Sequence, residues 1–337
     1  LETGSDDTFR GNLQSGRVFD NDSDLFFSLS GSVSDGFRQH ADQKNIKFNT
    51  NAGIKISENV ETRFYFNSNY IDLELPNTVT KNQALSNPEQ AKASALTDDE
   101  HRDIVSYRFS NKTTFDLGGG HKMDVGAFAF WKDLFHPITS FVGVIGQESV
   151  NYGLFTQNSG TYKVGNHLNR YRFGVTSHLG DTDAKVWENN NGKAGVLTSD
   201  TQQSAQNVVV YGENSFYIKP ELALVTTLQY IWANRDVFDN FTPSETDSSD
   251  YESWNPKIGL LYKPSEKIQI FGNISKSYEP PDFSDLTQGS TAGFISLEAQ
   301  DAWTLEVGTR GEQGPVAWDI SLYRAWISDE ILKFTTG

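Results

Sequence analysis

Cysteine is absent from this chain of 337 residues, and methionine occurs once. The absence of cysteine excludes a disulfide framework, a thiolate metal site, an iron–sulfur cluster and a cysteine nucleophile. Basic residues are also scarce: 28 Lys and Arg stand against 44 Asp and Glu, a net charge of −16. This balance argues against a sequence-independent nucleic-acid binder, because such proteins neutralise phosphates with Lys and Arg. No apolar run approaches the roughly 18 residues that a transmembrane helix needs.

Aromatic residues are abundant by comparison. They make up 13% of the chain, whereas hydrophobic residues as a whole make up 36%. Aromatics spread among Asn, Ser, Thr and Gly are typical of β-strands with one apolar face, and a helical protein would contain more Leu, Ala and Met.

The hydrophobic pattern has a period of two. In residues 45–57 the bulky apolar side chains occupy even positions, and Asn and Lys occupy odd ones. Residues 60–70 repeat this pattern after a gap of two residues, which is the size of a hairpin turn. The same alternation recurs to the end of the chain, and it predicts about 14 antiparallel strands of roughly 9–13 residues.

Short and long connections alternate along the chain. Short turns are predicted near residues 58, 119, 166, 220, 265 and 313. The predicted long connections are Asp35–Lys44, Glu74–Arg102, Asp133–Asn151, Gly180–Gln206, Val237–Tyr251 and Glu279–Ala299. Short turns at one end and long polar loops at the other are typical of an up-and-down transmembrane β-barrel.

Strand ends and inward-facing charges favour the same interpretation. Aromatic residues near the long-loop ends, such as Trp303, suit the lipid headgroup level. The charges predicted to face a wet lumen, where they pair within the wall or contact an inner domain, are Lys47, Arg63, Arg172, Glu306 and Arg310. A soluble sandwich would also alternate, but it would rarely need long strands with loops of one-sided length.

Several segments resemble the barrel region of TonB-dependent outer-membrane receptors. The clearest are the Pro-Pro loop in Ser275–Leu286, the E-x-G-x-R strand in Leu297–Gly311 and the Y-R-x-x-I-x-D-E-I strand in Asp319–Leu332. Weaker similarities to the ferric-citrate-receptor-like branch lie at Ser34–His40 and Asp72–Pro76.

The resemblance implies an all-β, antiparallel barrel of about 22 strands that surrounds a plug domain. Nothing in residues 1–337 resembles the plug or the Ton box, and no terminal aromatic-ended strand is found. We therefore expect a single partial barrel domain over 1–337, with the plug and the C-terminal strands outside it. An isolated part of the barrel would leave backbone N–H and C=O groups of its edge strands unpaired in lipid, and each such group costs several kcal/mol.

Catalytic and metal-binding patterns are not found. The six His residues lack H-E-x-x-H or similar metal spacing, and Gly118-Gly119-Gly120 lacks the Lys-Ser/Thr of a phosphate loop. The acidic stretch Asp247–Asp250 lacks the periodicity of a calcium loop. We expect no enzymatic activity, catalytic residue, metal site or cofactor.

Ligand capture is then the expected role. The resemblance implies a bacterial outer-membrane receptor that imports a ferric siderophore or similar chelate and is coupled through the plug to the TonB–ExbB–ExbD complex. Heme, cobalamin and copper are the alternatives for the transported ligand. Arginine's planar fork suits carboxylate and catecholate oxygens. The candidate ligand-binding residues on or beside long loops are Arg38, His40, Trp131, His136, Tyr152, Trp187 and Arg235.

Two alternatives remain at this point. One is a passive or adhesive outer-membrane barrel without coupling, and the other is a soluble all-β carbohydrate-binding domain. The first predicts no plug in the intact protein, and the second predicts a closed apolar core between two sheets.

Overall fold

The computed structural model describes residues 1–287 and 293–332. In this part of the chain the strands form one antiparallel sheet, in which each strand pairs with its neighbours in sequence. The strands are β1 (Glu2–Thr3), β2 (Phe9–Val18), β3 (Asp24–Ser34), β4 (Gln43–Ser57), β5 (Val60–Glu74), β6 (His101–Gly118), β7 (His121–Pro137), β8 (Val144–Val164), β9 (His167–Asn190), β10 (Lys193–Lys219), β11 (Leu222–Asp239), β12 (Asp247–Ser265), β13 (Ile268–Glu279), β14 (Gln300–Gln313) and β15 (Val316–Ser328).

The predicted all-β, up-and-down architecture is confirmed. The described sheet has 15 strands with β1 and β15 at its two edges, so it is an open sheet rather than a closed barrel. Since β1 has two residues and every other strand has at least ten, the expected number of about 14 substantial strands is also right.

The period of two places the side chains on two distinct faces. In β4, Ile46 and Ile54 lie on one face and Lys47 and Asn51 lie on the other, as the alternation predicts. The apolar face stays largely uncovered: Leu154 in β8 is 64% exposed and Leu322 in β15 is 72% exposed. We call these two sides of the sheet the apolar face and the polar face.

The two ends of the sheet differ as predicted. At one end the strands are joined by tight turns, including Glu58-Asn59 and Gly119-Gly120. At the other end lie the long connections 35–42, 75–100 and 280–299. The connection 75–100 contains helices α1 (Lys81–Ser86) and α2 (Ala93–Thr97), and the connection 280–299 contains α3 (Phe283–Leu286). Among the described residues, no helix has the length and apolar character needed to cross a membrane.

Three of the predicted long loops are wrong. Residues 180–206 are the continuations of β9 and β10, which are 24 and 27 residues long and meet at the turn Asn191-Gly192. The connection after β7 is also shorter than predicted, because it covers only residues 138–143. The connection predicted over Val237–Tyr251 covers only residues 240–246, because β11 continues to Asp239 and β12 begins at Asp247. These upper strand segments carry polar residues on both faces, so they show no apolar alternation from which a strand could be predicted.

Strands β12 and β13 separate towards the long-loop end. Their register begins at Ser265↔Ile268 and ends at Lys257↔Ser275, whereas β13 and β14 stay paired up to Glu279↔Gln300. Pro256 lies next to Lys257, on the long-loop side of this last pair. Proline has no N–H to donate to a ladder, so it is a local reason for the pairing to stop there.

Candidate functional site

The upper part of the polar face carries a transverse row of polar side chains. Cross-strand register aligns Lys47 of β4 with Asn69 of β5, Ser106 of β6 and Lys132 of β7. The adjacent row on the same face aligns Asn67 with Arg108 and Phe130. Three cations from three strands therefore face the same space, and we call Lys47, Arg108 and Lys132 with Phe130 the cationic site.

The three cations of this site have no carboxylate partner. Among the described residues, no Asp or Glu oxygen lies within 4.0 Å of Lys47, Arg108 or Lys132. The guanidinium of Arg108 lies 5.1 Å from the centroid of the Phe130 ring, a cation–π geometry that leaves its N–H groups available. In β5, the Asn69 side-chain oxygen is buried without a hydrogen-bond partner.

Two cations near the short-turn end of the same face form ion pairs. Arg63 donates to both carboxylate oxygens of Asp24, at 2.7 and 2.5 Å, and to Asn51 Oδ1 at 2.7 Å. Lys55 pairs with Asp22 at 2.8 Å. On β3 to β5, the cations Arg63 and Lys55 near the short turns are thus paired with carboxylates, whereas Lys47 near the long connections is not. An unneutralised Arg and two Lys can bind an anion without first losing an internal ion pair.

Arg38 joins two long connections. Its Nε donates to Gln90 O at 3.0 Å, Nη1 to Asn77 O at 2.8 Å, and Nη2 to Gln90 O at 2.9 Å and Pro76 O at 3.2 Å. The guanidinium is therefore used to hold the connection 75–100 against the connection 35–42.

His40 reinforces the same junction. Its Nε2 lies 2.8 Å from Glu100 O, and its Nδ1 lies 3.5 Å from Glu74 Oε2. Glu100 is buried, and its carboxylate accepts from Asn77 at 2.7 Å and from Ser94 at 3.1 Å. Beside this junction, burial first and then the neighbouring carboxylates of Asp42, Asp7 and Asp6 raise the pKa of Asp35.

His136 is buried at the top of β7 and contacts two groups of β6. Arg102 Nη2 lies 2.9 Å from His136 Nε2, and His136 Nδ1 lies 2.6 Å from His101 O. Because a guanidinium can only donate, Nε2 accepts and Nδ1 carries the proton. Both ring nitrogens are occupied within the wall.

Trp187 and Arg235 are both engaged within the protein. The Trp187 ring lies where a side chain on Gly146 would be, 2.6 Å from an ideal Cβ. Arg235 donates to Pro281 O at 3.2 Å and to Asn207 Oδ1 at 3.0 Å, so it holds the start of the connection 280–299 against the polar face.

Trp131 and Tyr152 lie on the apolar face. Trp131 stacks on Tyr107 with ring centroids 5.5 Å apart, and its Nε1 donates to Glu148 at 3.0 Å. Tyr152 is exposed on the next strand. The structure thus does not bring the seven predicted residues together, and their contact with ligand stays a prediction.

Within the described residues, no group of three or more His, Asp and Glu is placed to hold a metal ion.

Three members of the cationic site, Arg108, Lys132 and Phe130, were not singled out from the sequence. A signal for Phe130 exists, because β7 reads Ala127-Phe128-Ala129-Phe130 and places Ala on the apolar face. Large aromatics on the polar face of a strand, with small residues on the apolar face, reverse the usual alternation of a barrel wall. Arg108 becomes notable only once register places it beside Phe130.

Comparison with known proteins decides the family. The family profile described as "TonB dependent receptor-like, beta-barrel" matches residues 2–337. This chain belongs to the TonB-dependent receptor β-barrel family. Members of this family are transport receptors of the bacterial outer membrane and not enzymes, so the expectation of no enzymatic activity is confirmed.

Solved structures of such receptors share the fold. The ferric citrate transporter FecA in the unliganded form matches with a TM-score of 0.85 and 13% identity, over 99% of this chain and 51% of that one. The ferric-catecholate import receptor Fiu from K12 E. coli, closed form, matches with a TM-score of 0.77 and 14% identity, over 97% and 57%. The siderophore receptor PiuA from Acinetobacter baumannii matches with a TM-score of 0.73 and 12% identity, over 95% and 55%. The present chain thus spans just over half the length of each of these three proteins.

Proposed function

We propose that this chain forms part of the wall of an outer-membrane barrel that imports an anionic metal chelate, a ferric siderophore or a similar complex. In this arrangement the polar face lines the lumen and the apolar face meets lipid. The remaining strands and a plug that couples to the TonB–ExbB–ExbD complex belong to the intact receptor in this proposal.

The cationic site is the observation that carries the proposal. Lys47, Arg108 and Lys132 present positive charge on the polar face without an internal carboxylate. They lie at the long-loop end, below the junction of the connections 35–42 and 75–100. A ligand that enters from this end meets three cations and the Phe130 ring before it reaches the ion pairs Arg63–Asp24 and Lys55–Asp22.

The residue types favour a chelate with carboxylate or catecholate oxygens. The fork of Arg108 suits two such oxygens at once, while the two ammonium groups act as point charges. Phe130 offers an apolar surface for a flat part of the ligand. Asn67 and Asn69 lie beside the cations and add side-chain amides to the same surface.

Titration calorimetry on the intact protein in detergent tests the proposal, with ferric citrate and a ferric catecholate as ligands. We expect the double variant Arg108→Gln, Lys132→Gln to weaken binding at least about 100-fold, because two charged hydrogen bonds are each worth about 1.5–3 kcal/mol. Arg172→Gln is the matched control, since Arg172 lies on the same face near the short-turn end. Equal losses in both variants, or unchanged affinity in the double variant, would refute a ligand site at this position.

A further inference from the structure

The connection between β7 and β8 displays an uncovered aromatic side chain. Phe141 is 98% exposed, and its neighbour Val142 is 44% exposed. Burial of such an uncovered aromatic ring by a partner would be favourable, because it removes apolar surface from water. We call residues 138–143 the knob.

The knob is held rigidly at its own base. Ile138 N–H donates to Gly143 O at 3.0 Å, and Gly143 N–H donates to Thr139 O at 2.8 Å. Gly143 has a φ of +97°, and a Cβ there would lie 2.3 Å from Trp187 O, so a larger residue would not fit this close turn.

The connection 75–100 and strand β9 hold the knob through side-chain hydrogen bonds. Asp98 Oδ2 accepts from Ser140 N–H at 2.8 Å. Asn189, near the top of β9, donates to Ile138 O at 2.5 Å and to Asp98 O at 2.7 Å. The exposed Phe141 is therefore presented on an ordered platform, and binding would cost less conformational entropy there than on a free loop.

The knob stands well above the expected membrane boundary. Trp131 and Tyr152 lie on the apolar face, and the first carboxylates above them are Asp133 and Glu148. From Trp131 to the end of β7 there are six residues, which gives a height of about 15 Å for a strand tilted by roughly 40°. The knob therefore lies in the aqueous layer outside the bilayer.

The wall below the knob is acidic on its outer side. Register places Asp133, Glu148 and Asp183 directly opposite one another on β7, β8 and β9, and Asp181 shares their face. Like charges in directly opposed positions destabilise a sheet. Lys185 is the cation that shares this part of the face, and no carboxylate of the described residues pairs with it within 4.0 Å.

We propose that the knob and this acidic wall form a docking surface for a basic extracellular protein that receives Phe141 in an apolar pocket. An aromatic side chain that fills a pocket of the partner is the kind of residue that dominates binding at protein interfaces. The carboxylate row supplies complementary charge for a partner with a basic rim, which increases the association rate at low salt.

Site-specific photocrosslinking in cells that express the intact protein tests this inference. A photoreactive phenylalanine analogue replaces Phe141, and the same analogue replaces Leu85, which is 75% exposed on α1, as the control. We expect position 141 alone to give a discrete crosslink to a protein with a net positive charge. Replacing Asp133, Glu148 and Asp183 with the corresponding amides should reduce its yield at least about tenfold.

The crosslinked protein is then identified by mass spectrometry, purified and titrated against the intact receptor. Phe141→Ser should weaken its binding about 30-fold or more, as expected for a hot-spot aromatic, without changing the thermal stability of the receptor or its affinity for the chelate. No protein crosslink at 141, equal crosslinks at 141 and 85, an acidic partner, or weakened chelate binding in Phe141→Ser would each overturn the proposal.

Discussion

Replacing Arg38 with alanine should open the junction between the connections 35–42 and 75–100. The change removes four hydrogen bonds from the guanidinium to the carbonyls of Pro76, Asn77 and Gln90. Arg38 is half-buried, so we assign about 1 kcal/mol to each of the three carbonyls, the lower part of the range for charged hydrogen bonds. The local opening free energy should then fall by about 3 kcal/mol, which is about a 100-fold increase in local opening.

Hydrogen exchange of individual backbone amides measures this opening. The amide of Gln39 donates across the junction to Glu89 O, and the amide of Lys92 donates within the connection 75–100 to Pro76 O, whose carbonyl Arg38 also binds. Both amides should exchange about 100-fold faster in Arg38→Ala. Arg38→Lys should recover little protection, because one ammonium group cannot reproduce the planar fork. Lys81→Ala, an exposed change in α1, is the control. Unchanged protection in Arg38→Ala, or an equal effect of Lys81→Ala, would refute the assignment of Arg38 as the clamp.

Two further predictions concern packing and charge. Gly126→Ala should lower the free energy of unfolding in urea by about 1–3 kcal/mol, because the new Cβ would lie 2.4 Å from Asn111 O and from the Phe155 ring. The neighbouring Ala127→Ser on the apolar face is the control. Equal unfolding free energies of the two variants would contradict the tight packing at Gly126. The pKa of Asp35 is raised above its ordinary value of 3.8, so its ionised form disfavours the fold above the raised pKa and this penalty disappears when the carboxyl is protonated. Asp35→Asn should therefore raise the Tm at pH 7 and leave it unchanged near pH 3, and the same Tm difference at both pH values would be inconsistent with the raised pKa.

The sequence predicts the alternating part of the sheet well. In β4 and β5 the alternation of apolar and polar residues is nearly unbroken, and the two-residue gap at Glu58-Asn59 is the observed hairpin turn. This works because a lipid-facing surface requires an apolar side chain at every second position. The upper halves of β9 and β10 carry no such pattern, so they could not be distinguished from a loop by sequence.

The candidate site was harder to predict, for a related reason. Arg38, His136 and Arg235 have the chemistry of ligand-binding residues, yet each is engaged by backbone or by a neighbouring side chain. Whether a cation is free or already paired depends on residues far apart in sequence, as with Arg63 and Asp24, which are 39 residues apart. The sequence could indicate that Lys47 faces the lumen, but only the cross-strand register shows that Arg108 and Lys132 share its surface without a counter-ion.

The assignment of the two faces is the central claim, and two adjacent residues of β9 test it most directly. Val175 lies on the apolar face and Thr176 on the polar face, at the same depth. Because this chain contains no cysteine, Val175→Cys and Thr176→Cys each introduce a single spin-labelling site into it. In the intact protein reconstituted into bilayers, power-saturation spectroscopy should show that oxygen relaxes the label at 175 more than a water-soluble nickel complex does, with the reverse order at 176. The same order at both positions, or the opposite assignment, would contradict a wall with one face towards lipid and one towards a wet lumen.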